Sequence, residues 1–552
     1  MEHFESEPLS HMGDLPAMAA DRYGEETAII FRDEETSFAE LDAGADRVAN
    51  LLVEAGVEPG ERVGLFIPTT DWFPKVYFGA MRAGAIPVPL NLRMDPETLG
   101  FVVEDANIDV LFGSVWLADE AQELAAATSI ETAYIPGVSG EGVVDYAEAI
   151  AEVDDDFDRQ EAGVDRAFDD VAVQPYTSGT TGRPKGVELT HQNLLTTIES
   201  LDKGGLSVDP DDTFLVVLPL FHIYGLNGMM GTCLYSGAEM VFHAEPDPEA
   251  MLSDMGDKGV TFFAGVPALF TEMFREYREN EADYDLSTLE YTFCGAAPLA
   301  DSTRRAIMEA WNVPMTEGWG MTETAPAGTI EPGHGVKKAA GSVGPPLDGV
   351  EIKLVDPATG ETKVTSDQLQ PIPDEDIDFD DEDAVTGEIA IRGPNVFKGY
   401  YNRPEKTREV FDDDGYFHTE DIARVDEDGY FWIVDRADDM IIAGGENIYP
   451  AEVEDALYEH PDVAEAAVVA ADHEIKGEAP VAYVVLEEGA DISERELRSF
   501  SLDHVATYAH PRRIFFVDEL PRSATQKVQR YKLEDDVKGR LDGPLESTDE
   551  EL

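Results

Sequence analysis

Short apolar runs alternate with helical segments through the first half of the chain, and this alternation constrains the fold more than any other feature. TAIIFRDEE (27–35) reads as strand and turn. Ser37, with Glu40 three residues on, is a capping box that opens a helix. Leu41, Ala45, Val48, Leu52 and Ala55 follow at helical spacing, and Gly56 is placed to end it. The series continues with a strand at 62–68, a helix at 71–83, a strand at 85–90, a helix at 96–106 and a strand at 108–112. It resumes with a helix at 192–201, strands at 213–218 and 260–264, and a helix opened by Pro267. Strands alternating with helices demand right-handed crossovers and a mostly parallel sheet. In such sheets ligands sit beyond the carboxyl ends of the strands.

From about residue 341 the texture changes to shorter strands and turns: EIKLVD, GEIAIRG and YFHTEDIARVDEDGYFWIVDR. The 426–429 turn between two alternating runs is a hairpin signal. Residues 367–383 are acidic and Pro-punctuated, and read as a solvated loop. After Arg436 a small α+β unit follows: a helix opened by Pro450, strands at 463–470 and 480–486, and a helix at 494–505. The expected class is α/β: a large N-terminal region of doubly wound sheets with a small β-rich subdomain, then a small mobile α+β C-terminal domain. The expected boundaries are 1–436, 437–541 and an acidic, disordered tail at 542–552.

YTSGTTGRPKGV (176–187) interrupts the alternation. Seven of its twelve positions are Ser, Thr or Gly. Such a run builds no core, but glycine lets backbone N–H groups close on an anion. Ser178, Thr180 and Thr181 add hydroxyls and Lys185 adds a compact cation. The chemistry indicated is a polyphosphate cradle. It is not a Walker A loop, because Arg183 and Pro184 separate Gly182 from Lys185. A flexible linker is the plain alternative, and the apolar approach VAVQPY and the hydrophobic continuation after Gly186 argue against it.

Charge narrows the partners. The 552 residues carry 115 acidic against 39 basic side chains, a formal −76. Hydrophobic content of 43% is too high for a disordered chain. A surface of this sign repels nucleic acid and anionic membranes. It suits a halophilic setting, where the Debye length shrinks to about 3 Å at 1 M salt. Cys233 and Cys294 form neither a disulfide framework nor a zinc site, so a reducing cytoplasm is expected. MEHFESEPLS has no signal-peptide pattern. Residues 213–238 lack any Asp, Glu, Lys or Arg, but their Pro, His, Asn and four Gly read as buried core rather than a membrane span.

YTSGTTGRPKGV resembles the phosphate loop of the adenylate-forming superfamily, which includes acyl-CoA synthetases, peptide-synthetase adenylation domains and luciferases. Six further segments resemble that family's motifs in its order. By the resemblance, Thr177, Ser178, Gly179, Thr180, Thr181, Gly182 and Lys185 bind ATP phosphates. PLFHIYG puts His222 beside an acyl pocket, although a lone His in an apolar run is more often structural. CGAAPL supplies Gly295, Ala296 and Ala297 to an adenine site, while Cys294 reads as core. In GWGMTE, Trp319 stands where Tyr is usual and stacks on the purine. Gly320 and Met321 border the acyl pocket, Thr322 meets phosphate and Glu323 is the Mg²⁺ carboxylate.

HTED matches the family's Thr-Gly-Asp, with Asp421 on the ribose hydroxyls and Glu420 replacing the usual Gly. In DRADDMIIAGGENIYPAEVE, Arg436 contacts ribose or phosphate, Asp438 is the hinge, and Gly444 and Gly445 meet the pantetheine of CoA. PRSATQKVQR carries Lys527 as the catalytic lysine, with Gln526 where Gly is common. The implied reaction has two halves. A carboxylate attacks the α-phosphate of ATP, releasing pyrophosphate, and a thiol then displaces AMP to give a thioester. About twenty-five residues follow Lys527, so free CoA is expected rather than an attached carrier. The acid is expected to be a medium- or long-chain fatty acid, with an aromatic acid second. A non-catalytic nucleotide-binding protein of the same fold is the other class. No oligomeric state is legible, and a homodimer stays open.

Overall fold

The computed structural model describes residues 9–177, 183–297, 299, 301–332, 341–357, 359–369, 377–437, 439–443, 446–487, 489–490, 492–502, 504–522, 528–541 and 543–545. Among them are five sheets.

The largest sheet has eight strands, in the order Thr329–Ile330, Met315–Trp319, Tyr291–Cys294, Phe262–Gly265, Thr213–Val216, Glu239–Phe242, Thr27–Phe31 and Glu34–Ser37. The six inner strands run parallel, and each edge is closed by an antiparallel partner. The inner strands read as continuous apolar runs because helices cover both faces. All four residues of Phe262–Gly265 and of Tyr291–Cys294 are buried. A second sheet is wholly parallel: Ile86–Pro89, Arg62–Phe66, Ile108–Gly113, Thr132–Ile135 and Val143–Asp145. The predicted α/β class is therefore the observed one. The last two strands of the second sheet were not legible because they are only four and three residues long.

Local chemistry sets the helix ends. Ser37 Oγ accepts from the Glu40 amide at 3.1 Å, and Glu40 Oε2 accepts from the Ser37 amide at 2.9 Å. This is the expected capping box, and it opens Phe38–Glu54. Gly56 follows at φ +84°, where a side chain is disfavoured. Pro96–Ala106 forms as read, with Asp95 as its cap. The uncharged 213–238 stretch is a strand, a π-helical segment Tyr224–Gly231 and a helix Thr232–Ser236, buried in the largest core. No helix among the described residues is long and apolar enough to cross a membrane.

Beside these lie a small sheet containing Lys185–Thr190 and Gly399–Tyr400, and a six-stranded antiparallel sheet. In the latter, Phe417–Val425 and Phe431–Arg436 form the expected hairpin. A final sheet of Glu446–Ile448, Ile441–Ala443, Gly477–Leu486, Val463–His473 and Arg513–Phe516 has the α+β character expected of the C-terminal region.

Three expectations need correction. The acidic 367–383 segment is not uniformly solvated: Ile377 and Phe379 pack against the main core while Asp378 and Asp380 face out. Residues 370–376 lie outside the described ones. The tail is docked where it is described, since the amide of Leu545 donates to Asp472 O at 2.8 Å and its side chain is buried. Apolar Leu545 alone outweighs the polar context there. The 494–505 helix stops at Leu502.

Candidate active site

Three parallel strands end on one side of the large sheet and deliver their loops to one cavity of about 330 Å³. Thr213–Val216 leads to His222 and Tyr224, Tyr291–Cys294 leads to Gly295 and Ala296, and Met315–Trp319 leads to Gly320, Met321, Thr322 and Glu323. This is the carboxyl-end position that the topology demands. Thr177, Lys185, Tyr400, His418, Thr419, Glu420 and Arg436 close the cavity from the other sheets.

Backbone geometry shapes its floor. A Cβ on Gly320 would lie 1.8 Å from Pro326 O, so only glycine fits where the chain doubles back. Trp319 packs close to Gly328, where an added Cβ would lie 2.5 Å from the indole. Residues 419–421 bulge opposite Ile389 alone, between the register pairs Ala390↔His418 and Glu388↔Ile422. Thr419 Oγ1 donates to Ile389 O at 2.9 Å, and the Glu420 amide donates to Glu388 Oε1 at 3.1 Å. Glu420 takes φ +63°, a conformation glycine adopts freely and which costs other residues about 1–2 kcal/mol. The bulge re-aims the next side chain, Asp421, toward the cavity wall. Its Oδ2 accepts from the Trp319 indole N–H at 2.8 Å, and its Oδ1 stands 3.6 Å from Arg436. Arg436 also pairs with Glu420 at 3.0 Å.

Glu323 is the buried carboxylate on the cavity floor. Its Oε1 accepts from the Tyr400 hydroxyl at 2.9 Å. Burial raises its pKa, against the Tyr400 bond and the cations Lys185 and Arg436, which act to lower it. Lys185 sits 4.6 Å over the Tyr400 ring. Deeper in, the lining turns apolar with Leu201, Leu206, Met229 and Ile330. Beside Gly295, where an added Cβ would stand 3.2 Å from it, the Tyr224 hydroxyl is fully buried and meets no hydrogen-bond partner among the described residues. Burial pushes its pKa up, so it stays a neutral phenol.

The structure thus gathers Thr177, Lys185, His222, Gly295, Ala296, Trp319, Gly320, Met321, Thr322, Glu323 and Arg436 around one cavity, with Asp421 behind two of its lining groups. Ala297 does not join them: it is exposed beyond the strand end, because the chain turns away at Ala296, φ +70°. Ser178, Gly179, Thr180, Thr181, Gly182, Asp438, Gly444, Gly445 and Lys527 lie outside the described residues. Sequence reasoning missed Tyr224, Tyr400 and His418. Tyr224 and His418 stand inside segments already singled out, PLFHIYG and HTED, but the partner of such a side chain is set by tertiary contact.

Among the described residues no group of three or more His, Cys, Asp or Glu converges as a metal site. One buried carboxylate facing a cavity suits Mg²⁺, which one or two carboxylates and substrate phosphates typically hold. Glu323 fits that group.

Comparison with known proteins agrees with this geometry. Residues 17–401 match the AMP-binding enzyme family, and 452–527 match the AMP-binding enzyme C-terminal domain. A feruloyl-CoA synthase of Amycolatopsis sp is 36% identical over 519 residues, 94% of this chain and 97% of the relative. A long-chain-fatty-acid–CoA ligase of Bacillus subtilis is 30% identical over 540 residues, 93% of this chain and 92% of the relative. The crystal structure of ATP-bound MatB from Rhodopseudomonas palustris superposes with a TM-score of 0.83 at 32% identity, covering 95% of this chain and 99% of that one. The chain belongs to the AMP-binding enzyme family, within the adenylate-forming superfamily, and is an AMP-forming acid–thiol ligase.

Proposed function

We propose that this ligase activates a hydroxylated aromatic acid with ATP and transfers it to CoA. The observation that carries the choice of acid is Tyr224: a fully buried neutral hydroxyl without a described partner, on the cavity wall beside Gly295. An unmet buried donor is costly, and a ligand hydroxyl would satisfy it. The name of the feruloyl-CoA relative points the same way. A medium- or long-chain fatty acid is the second reading, supported by Leu201, Leu206, Met229 and Ile330 and by the Bacillus relative.

In the reaction proposed, Lys185, Thr177 and the 178–182 segment hold the polyphosphate and Trp319 stacks on the purine between Gly295 and Ala296. Asp421 accepts from the ribose hydroxyls, and Arg436 contacts ribose or phosphate. His222, Gly320 and Met321 border the acid. Glu323, with Thr322 on the phosphates, would hold Mg²⁺, which when bound offsets charge on the departing pyrophosphate. Lys527 bridges the substrate carboxylate and the α-phosphate as charge builds. The small domain, 437–541, then turns about Asp438, withdrawing Lys527 and bringing Gly444 and Gly445 to the pantetheine. The formal −76 is read as an exterior that requires molar salt.

The test is incubation in molar KCl with ATP, Mg²⁺ and a panel of hydroxylated aromatic and fatty acids, with and without CoA, read by mass spectrometry. Acyl-CoA from hydroxylated aromatic acids is the expected product. Turnover of straight-chain acids alone would establish the second reading. Adenylate that never reaches CoA would point to another thiol.

A further inference from the structure

We infer that Trp319 is a positioning residue for sugar recognition: its indole N–H aims Asp421, so that one side chain serves both the purine and the ribose. The inference rests on the reading of Asp421 as the ribose-binding carboxylate.

Trp319 and Asp421 are 102 positions apart and belong to different sheets, yet the indole N–H donates to Asp421 Oδ2 at 2.8 Å. Both residues are buried, at 7% and 9% exposure, so water competes little for this bond. A hydrogen bond to an ionised acceptor in such surroundings is among the stronger ones. The bulge at residues 419–421 turns Asp421 toward the wall but leaves the torsions of its side chain to be fixed by contacts. The indole fixes one oxygen, while the other faces Arg436 at 3.6 Å, and Arg436 is itself drawn to Glu420 at 3.0 Å. The ring is hemmed in at Gly328, where an added Cβ would stand 2.5 and 2.8 Å from two of its carbons. A carboxylate held this way keeps one orientation, which is what recognition of a vicinal diol needs. A phenylalanine keeps the flat apolar wall and deletes only the donor.

The experiment compares ATP with 2′-deoxy-ATP and 3′-deoxy-ATP in adenylate formation, as ratios of kcat/KM. It uses the full chain, Trp319→Phe, Asp421→Ala and the double variant. Asp421→Ala is expected to erase the discrimination. Trp319→Phe is expected to reduce it about tenfold, with KM for ATP rising more than kcat falls. The double variant is expected to be no worse in discrimination than Asp421→Ala, since the indole acts through the carboxylate. Discrimination kept by Trp319→Phe but lost in Asp421→Ala would overturn the inference and spare the ribose reading. Discrimination kept by Asp421→Ala would overturn both. Should Trp319→Phe fold poorly, Trp319→Met, which carries no hydrogen-bond donor, enters the same comparison with the same expected loss.

Discussion

Two buried carboxylates mark two regions that the same physics treats differently. Glu323 lies on the cavity floor, and Asp435 lies where the antiparallel sheet meets the C-terminal sheet. Burial raises the pKa of both. Asp435 spends both oxygens on backbone: Oδ1 accepts from the Arg436 amide at 2.8 Å and Oδ2 from the Ala451 amide at 2.9 Å. The second bond crosses to the first turn of Pro450–Tyr458, where a negative charge is favoured. The nearby guanidinium of Arg530, itself bonded to Glu454 at 3.0 Å, steadies the same junction. Glu323 instead lines a cavity, and Tyr400 holds its Oε1. A carboxylate enclosed by amides holds structure together; one that faces open volume is available to a ligand.

Four experiments can break or sharpen that contrast. The largest effect is expected from Lys527→Ala, which should cut adenylate formation by about a thousandfold while sparing thioester formation from supplied acyl-adenylate. Equal loss in both half-reactions from a folded protein would remove the lysine from the chemistry. Next, Glu323→Gln should lower adenylation about a hundredfold with thermal stability unchanged or raised, because a buried charge is lost. Glu323 must be ionised to hold a cation and its pKa lies above the usual carboxylate range, so wild-type adenylation should fall on acidification from that raised value. The acid limb assigned to Glu323 should vanish from the pH profile of the residual Gln activity. A Gln variant of full activity would end the ligand reading.

Tyr224→Phe comes third. It should cost about tenfold in kcat/KM for a hydroxylated aromatic acid and nothing for a straight-chain acid. Equal effects on the two classes would leave the apolar wall, not the hydroxyl, as the determinant.

The smallest effect should come from Asp435→Asn, and only on stability. The carboxyl is pushed up to about 6 in the folded protein, against 3.8 when unperturbed. Between those values the folded state holds more protons than the unfolded state, so the contribution of Asp435 falls as pH rises from about 4 to 6. The wild type should therefore lose stability relative to Asn across that window, by on the order of 2 kcal/mol, with kcat unchanged. A variant that loses turnover but not stability would reverse the comparison.

Much of this was legible in sequence for definite reasons. The helix of residues 38–54 announced itself through Ser37 and Glu40, because a capping box is a contact between near neighbours. The apolar run read as a strand at 260–264 was legible because a strand covered on both faces, here Phe262–Gly265, has no room for charge. Glycine at 320 was legible as part of a motif, but the reason only glycine fits there is the Pro326 carbonyl, which lies behind it only after the chain has turned. Leu545 looked like part of a polar tail because its partner strand is some seventy residues away.

The sequence by itself determined the alternation of elements, their caps and the residue types around the cavity, all of which depend on neighbours a few positions apart. Only the tertiary structure decided that Tyr400 holds Glu323, that the Tyr224 hydroxyl is buried beside Gly295, and that the Trp319 indole meets Asp421. Those contacts join residues far apart in the chain, and a hydrogen bond's partner is fixed by distance and burial rather than by spacing along the chain.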